Sequence, residues 1–244
     1  MRYKLTIEYD GTPFCGWQKQ NGQPSVQETL ENALKIALRH PVELVGSGRT
    51  DTGVHALGQV AHFDADQKVD TYKLRESLNA LVRPNPVSVR EIDFVSDTFH
   101  ARFSARQRVY LYRIQNTRFP PALQNNRVWW FVYPLDEIKM QQVAQMLIGK
   151  HDLSTFRAAG CQAKSPLKTI DEINITRVGE EIQVEIKARS FLYHQVRNIV
   201  GSLVNVGCGK WSAADFESAF KACDRTRGGE TAPAHGLYFM SVRY

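Results

Sequence analysis

The chain has 244 residues, enough for one large domain or two small ones. A hydrophobic content of 43% and a charged content of 23% are typical of a globular protein and exclude a disordered chain or a coiled coil. The formal net charge of +6 favours a polyanionic partner, although many enzymes are this basic for other reasons.

The cysteines and the N-terminus bear on the compartment. The four cysteines have no C-x-x-C spacing, so neither a zinc site nor a disulfide framework is predicted, and the seven histidines lack metal-ligand spacing. The first residues contain no apolar signal core, and no apolar run approaches the length of a membrane span. We expect reduced thiols, no metal, no membrane contact and a cytoplasmic protein.

The first half of the chain alternates strand and helix patterns. Residues 3–9 alternate apolar and polar side chains, which predicts a strand with one buried face. Ser25 and Glu28 form a capping-box pattern ahead of a helix over residues 26–37. The other elements predicted here are strands over residues 42–45, 58–63 and 87–95 and a helix around residues 74–81.

An arginine-rich stretch at residues 99–107 interrupts this pattern, so we place a domain boundary between residues 103 and 104. The first domain, 1–103, then has the order βαββαβ of ferredoxin-like folds and RNA-recognition modules. The second domain, 104–244, repeats that order with additions, and the predicted fold class is α+β. Its predicted elements are strands over residues 108–115, 128–133, 170–175, 182–188 and 237–242 and helices over residues 140–147, 196–203 and 213–220.

A glycine-bounded loop at residues 46–56 contains a single carboxylate, Asp51, in a segment with neither helical nor strand periodicity. Arg49 precedes it by two positions and His55 follows it by four. The loop is suited to holding a reactive group, and a turn in which Asp51 bonds its own backbone is the alternative.

Asp51-Thr52-Gly53 also matches the catalytic tripeptide of aspartic proteases. Those enzymes pair two such carboxylates so that they share a proton. Here there is one copy, and Arg49 nearby favours the ionised form. The sequence therefore favours a lone ionised carboxylate over a protease dyad.

Two further features concern arginine. Arg197 lies at the edge of an apolar helical stripe, where an arginine either pairs with a carboxylate or covers apolar surface. A mixture of cations and aromatic rings suits RNA, because guanidinium groups follow phosphates while rings stack on bases; a solvated face is the alternative. This mixture comprises Arg102, Arg106, Arg108, Arg113 and Arg118, interleaved with Phe99, Phe103, Tyr110 and Tyr112.

Taken together, these residues resemble the tRNA pseudouridine synthase A (tRNA pseudouridine synthase I) family. The residues that carry the resemblance run the length of the chain in the family's order, with modest departures at Thr52, Tyr193 and Gln195. The matching blocks are residues 48–56, 99–105, 108–112, 152–166, 190–203 and 232–237.

The resemblance implies a fold and an activity. The fold is two ferredoxin-like βαββαβ domains that form the pseudouridine synthase fold with a central cleft. The activity is isomerisation of uridine to pseudouridine at positions 38, 39 and 40 in the anticodon stem-loop of tRNA, without a cofactor and by a homodimer. A non-catalytic RNA-binding protein of tandem recognition modules is the alternative from another class.

The resemblance also implies roles for individual residues. Asp51 is the catalytic carboxylate, assigned as the nucleophile at C1′, with removal of the 2′ proton left open. Arg197 pairs with Asp51 and keeps it ionised. Tyr110 stacks on the flipped uracil and accepts the C5 proton, with a core aromatic as the alternative. The expected substrate contacts are Tyr110, Arg49, His55, Arg102 and Arg157.

Overall fold

A computed structural model describes residues 1–244. The chain divides into two compact units, Met1–Arg106 together with Tyr238–Tyr244, and Gln107–Leu237. Both units combine helices with a mainly antiparallel sheet, which confirms the predicted α+β class. None of the helices has the length and apolar character needed to cross a membrane.

The first unit contains a sheet in the order β4-β1-β3, with β2 antiparallel to β3 on the other side. The alternation predicted for residues 3–9 is present in β1, whose apolar side chains are buried. The element order is βαββαβ. The elements are β1 (Arg2–Tyr9), α1 (Val26–Leu38), β2 (Val45–Gly46), β3 (His55–Asp64), α2 (Thr71–Leu81) and β4 (Val87–Val95).

Helix α1 begins where the capping pattern predicted. The Ser25 side chain accepts a hydrogen bond from the Glu28 N–H at 3.3 Å, which satisfies one of the free donors at the helix start. The apolar face of α1 is buried through Val26, Leu30 and Leu34. Helix α2 is capped in the same way by Asp70.

The second strand is shorter than predicted and lies later in the chain, because β2 contains only Val45–Gly46 and not residues 42–45. Side chains of α1 use the backbone groups that the longer strand would need. Leu44 N–H donates to the Glu31 carboxylate at 3.1 Å, and Leu44 C=O accepts from the Gln27 side chain at 3.0 Å. Strand β3 instead starts three residues earlier than predicted, at His55.

The second unit contains an antiparallel sheet in the order β5-β9-β8-β7, with β6 parallel to β5. Strands β8 and β9 form the predicted hairpin, and Gly179 at its turn has φ +61°. The elements are β5 (Gln107–Gln115), β6 (Trp129–Trp130), α3 (Glu137–Ala144), β7 (Gly149–Asp152), β8 (Leu167–Val178), β9 (Glu181–Ala188), α4 (Gln195–Gly207) and α5 (Ala213–Lys221).

The aromatic strand predicted over residues 128–133 is shorter than predicted, since only Trp129–Trp130 pair as β6. The Asn116 amide donates to the carbonyls of Phe131 and Tyr133, at 3.0 and 2.7 Å, so a side chain takes the place of a neighbouring strand. Strand β7 was not predicted, because Gly-Lys-His-Asp has no apolar alternation.

The closing strand β10 (Leu237–Arg243) was assigned to the second domain, whereas residues 238–244 belong to the first unit. Tyr238 and Phe239 pair in parallel with His55 and Ala56 of β3. The Arg243 carbonyl also accepts from the Arg106 N–H at 2.8 Å. Long-range parallel pairing of this kind leaves no mark in the local sequence pattern.

Candidate active site

Asp51 lies in the loop between β2 and β3, at residues 47–54, and its side chain is half-buried. The Val54 N–H donates to the Asp51 carbonyl at 3.1 Å and closes a turn in which Gly53 has φ +77°. That backbone conformation explains the glycine after the Asp-Thr pair. Arg49, in the same loop, is exposed.

Glycines of the segment between β1 and α1 lie directly against this loop. A Cβ atom on Gly11 would overlap the Val54 carbonyl, and one on Gly16, whose φ is +109°, would overlap the Thr50 carbonyl. The Trp17 N–H donates to that same Thr50 carbonyl at 3.1 Å. The sequence shows these residues only as part of a turn-rich segment, so their role in supporting the loop was missed.

Buried polar side chains hold the base of the loop. The hydroxyl groups of Tyr9 and Thr50 are hydrogen-bonded at 2.8 Å, and burial raises the pKa of Tyr9 well above its usual value, so that its phenol stays protonated. Ser47 donates to the Gln59 side chain at 2.6 Å, and Gln59 donates to the Gly48 carbonyl at 3.0 Å. These hydrogen bonds therefore fix the backbone of the loop that carries the Asp51 carboxylate.

His55 lies beneath the loop and is only 3% exposed. Its Nδ1 accepts from the Gly11 N–H at 3.1 Å and lies 3.2 Å from the Asp10 carboxylate. Its ring stacks on Tyr238 with centroids 4.7 Å apart. His55 thus connects β3 to the end of β1 and to β10. Arg102, by contrast, is exposed on a separate turn of the first unit.

Tyr110 lies on β5 in the second unit and is 8% exposed. Its ring packs edge-to-face against Phe191, with centroids 5.0 Å apart. Two positions further along the strand, the Tyr112 hydroxyl donates to the Pro233 carbonyl at 2.7 Å, and burial raises the pKa of Tyr112. The two tyrosines therefore have different surroundings on one strand.

Arg197 lies in the first turn of α4 and is half-buried. Its Nε donates to the Ala232 carbonyl at 2.7 Å, and the Ala232 N–H donates back to the Arg197 carbonyl at 3.2 Å. We call residues 225–232 the strap. Through this pair of hydrogen bonds the strap orients the guanidinium group.

The strap is fixed on α4 by close contacts that leave no signal in the local sequence. The buried Asn198 side chain accepts from Thr231 at 2.6 Å and from Arg225 at 3.1 Å. Ser202 accepts from the Gly229 N–H at 2.9 Å. Gly201 lets the backbone approach, because a Cβ atom there would overlap the Glu230 carbonyl. These residues position Arg197 indirectly.

Arg157 follows a single 3₁₀ turn at Ser154–Phe156, and its guanidinium donates to the carbonyls of Cys161 and Ala163 at 3.0 and 2.7 Å. It thereby shapes the loop at residues 158–165. Burial alone would raise the pKa of the Cys161 thiol, but nearby N–H groups and the Arg157 guanidinium outweigh burial and lower it. The Tyr193 N–H, 3.4 Å from the sulfur, is one of those donors.

The loop at residues 47–54 carries one carboxylate, Asp51, whereas the aspartic proteases pair two carboxylates that share a proton. The family model described as tRNA pseudouridine synthase matches residues 5–104 and 143–244. The chain therefore belongs to the tRNA pseudouridine synthase family and is an isomerase. This result excludes the protease and the non-catalytic RNA-binding module.

Curated relatives agree with the family match over the whole chain. The tRNA pseudouridine synthase A of Rhodospirillum rubrum is 51% identical, covering 100% of this chain and 88% of its own. Those of Maricaulis maris and Xanthobacter autotrophicus are 54% identical, covering 100% of this chain and 98% and 99% of their own. A solved Cbf5-Nop10-Gar1 complex aligns with 83% of this chain and 45% of its own at a TM-score of 0.36 and 12% identity, too weak a likeness to bear on the fold.

Proposed function

We propose that this tRNA pseudouridine synthase acts on uridines 38, 39 and 40 of the anticodon stem-loop, with Asp51 as its catalytic carboxylate. The observation that carries the assignment of Asp51 is the rigid support of its loop by Gly16, Thr50 and Gln59. A carboxylate must be held in place to meet a flipped nucleotide, whose removal from the stack costs roughly a few kcal/mol.

The reaction conserves every atom of the substrate. The bond from C1′ to N1 breaks, the uracil turns, and a bond from C1′ to C5 forms while a proton leaves C5 and N1 gains one. No electron is gained or lost overall, so side chains can supply the chemistry without a cofactor. Asp51 acts as the nucleophile at C1′ in this proposal, and removal of the 2′ proton is the alternative route.

The remaining catalytic roles fall to Arg197 and Tyr110. Arg197 supplies the cation that keeps the Asp51 carboxylate ionised, and its support by the Ala232 carbonyl favours a fixed orientation. Tyr110 stacks on the flipped uracil and accepts the C5 proton. Its edge-to-face packing on Phe191 would hold the ring in one orientation for that purpose.

The proposed substrate contacts differ in their surroundings. Arg49 and Arg102 are exposed and suited to RNA phosphates. Arg157 already organises the loop at residues 158–165, so we propose that it presents that loop to RNA as well as binding it. The burial of His55 favours support of the Asp51 loop over direct contact with the substrate.

At the scale of the chain, we propose two ferredoxin-like domains that form a central cleft, 1–103 and 104–237, with residues 238–244 returning to the first unit. The first carries Asp51 and the second supplies Tyr110 and Arg197. The βαββαβ order of β1 to β4 with α1 and α2 supports this for the first domain. We further propose a homodimer that grips one tRNA, and a cytoplasmic location, where tRNA substrates and unpaired thiols are both found.

The assignment of positions is tested with unmodified tRNA transcripts in which the uridines at 38, 39 and 40 are replaced by cytidine one at a time. Each replacement should remove one pseudouridine from the product and leave the other two, as mapped by reverse-transcription stops after carbodiimide treatment. Pseudouridine at any other position, with these three uridines untouched, would overturn the assignment.

A further inference from the structure

The turn at residues 99–104 exposes a phenylalanine. Phe103 is 71% exposed, although phenylalanine is among the residue types most often buried in proteins. It lies next to an exposed cation, since the Arg102 guanidinium carbon is 5.6 Å from the ring centroid. An exposed ring beside a cation suits a partner with flat faces and negative charge.

The turn holds this ring in one place. His100 Nδ1 accepts from the N–H groups of Arg102 and Phe103 at 3.2 and 3.3 Å, and the backbone N–H of His100 donates to the Ser104 hydroxyl at 3.0 Å. The Ser104 N–H returns a bond to the His100 carbonyl at 2.9 Å. The imidazole also lies against the phenyl ring, with centroids 4.3 Å apart. The ring is thus ordered and yet open to solvent.

The turn is anchored to the rest of the first unit through Ala101, which is fully buried. Its N–H donates to Nδ1 of His62 on β3 at 3.2 Å, and its carbonyl accepts from the Tyr244 hydroxyl at 2.9 Å. These bonds fix the backbone at the centre of the turn. A ring ordered before binding loses little conformational entropy when a partner stacks on it.

We propose that Phe103 is a stacking site for an unpaired nucleobase of tRNA, with Arg102 on an adjacent phosphate. The inference rests on tRNA as the substrate but not on the catalytic role of Asp51. Charge complementarity favours RNA as the occupant, because the ring lies beside the Arg102 guanidinium and the chain has a formal net charge of +6. Phe94 on β4 is the comparison ring, since it is 63% exposed and packs edge-to-face against Tyr3 with centroids 5.7 Å apart.

The test compares Phe103→Leu, Phe103→Trp and the matched control Phe94→Leu in binding to an unmodified tRNA transcript. Phe103→Leu should weaken binding by about ten-fold, in line with the loss of one stacked base, and Phe103→Trp should restore it. Phe94→Leu should bind as the wild type does. Binding to a fully paired RNA duplex of equal length should be the same for all four proteins, because it offers no free base.

Three results would overturn the proposal: unchanged tRNA affinity in Phe103→Leu, an equal loss of affinity for the duplex, or a change in oligomeric state that explains the loss. Circular dichroism and melting temperature of each variant separate a binding defect from a folding defect. Pseudouridine formation by the wild type is measured on the same transcript. If it is absent while the Phe103 effect on binding persists, the proposed reaction fails and the stacking site stands.

Discussion

Asp51 is half-buried, and hydrogen bonds fix the backbone of its loop. The side chains of its proposed partners, Arg197 and Tyr110, are also held by contacts. Arg197 is tied through its Nε to the Ala232 carbonyl, and Tyr110 is packed against Phe191. Fixed groups of this kind lower the entropy lost in reaching a reactive geometry. At the scale of single residues, therefore, removing a charge or a hydroxyl should affect rate more than binding.

Arg197→Ala tests the cation. Without the cation that we propose to orient the Asp51 carboxylate, the single-turnover rate should fall by roughly 10²-fold. Arg197→Lys keeps the charge but not the planar fork and is the matched control, so it should retain more of the rate than Arg197→Ala. Binding to tRNA should stay within a few-fold of the wild type in both variants. Equal single-turnover rates for Arg197→Ala and wild type would rule out the proposed ion pair.

Tyr110→Phe tests the proton acceptor. The variant keeps the ring for stacking but lacks the hydroxyl, so tRNA affinity should stay within about two-fold while the rate falls by roughly 10²- to 10⁴-fold. Tyr112→Phe is the control on the same strand. It loses only the hydrogen bond to the Pro233 carbonyl, which should cost about 0.5–1.5 kcal/mol of the free energy of unfolding and leave the rate intact. Full activity in Tyr110→Phe would reassign the acceptor.

Among the elements, the loop between β2 and β3 depends on a segment far from it in sequence. Gly16 combines a positive φ with direct contact to the Thr50 carbonyl, one residue before Asp51. Gly22 has a comparable φ of +76° but no atom within 4 Å of the position where its Cβ would lie. An alanine would therefore have a strained backbone at either position, but only at position 16 would its Cβ overlap another part of the chain.

Gly16→Ala should displace the Asp51 loop and lower the single-turnover rate by at least about ten-fold. Gly22→Ala should lose only the roughly 1–2 kcal/mol of stability expected for a left-handed alanine and keep its rate. Both variants are compared at a temperature where melting curves show them folded. Equal rates in the two variants would mean that the loop does not depend on its contact with Gly16.

Elements whose signals are local were predictable from the sequence. Helix α1 and strands β1 and β4 follow apolar periodicity and a cap, and each was predicted close to its bounds. Strands β2 and β6 are shorter than predicted, because the side chains of Glu31, Gln27 and Asn116 take the backbone groups that pairing would use. Such long-range hydrogen bonds are absent from a pattern of local periodicity.

The candidate site divides in the same way. The glycine-bounded Asp51 loop and the helix of Arg197 stand out by composition and by their resemblance to family motifs. Gly16 and Thr231 contribute through backbone approach and through a hydroxyl bonded to Asn198, which only the folded chain brings together. Supporting residues of this kind are predictable only once the partner segment is known.

Over the whole molecule, stability is linked to pH through His62. The buried ring accepts from the Ala101 N–H, and its pKa is lowered from 6.5 to about 4 by burial and then by the charges of Arg2 and His100, with Asp64 acting in the opposite direction. Between pH 6.5 and about 4, His62 is therefore neutral in the folded protein but protonated in the unfolded chain. Acid should weaken the fold across this window.

Between pH 6.5 and about 4, His62 should lower the free energy of unfolding by up to about 1.4 kcal/mol per pH unit as the pH falls. Below pH 4 both states are protonated and its contribution should level off. His62→Gln should be less stable at pH 7 but show a shallower decline across the same window, measured by urea unfolding at several pH values. Parallel curves for the two proteins would mean that the pKa of His62 is the same in the folded and unfolded states, which would contradict this prediction.

The catalytic role of Asp51 is the central claim, and tritium release from C5-labelled uridine in an unmodified tRNA transcript tests it most directly. Asp51→Asn keeps the size of the side chain and removes its charge. The wild type should release tritium, and Asp51→Asn should release none while binding tRNA within a few-fold of the wild type. Release by Asp51→Asn at the wild-type rate would contradict the assignment, and loss of both binding and release would make Asp51 structural.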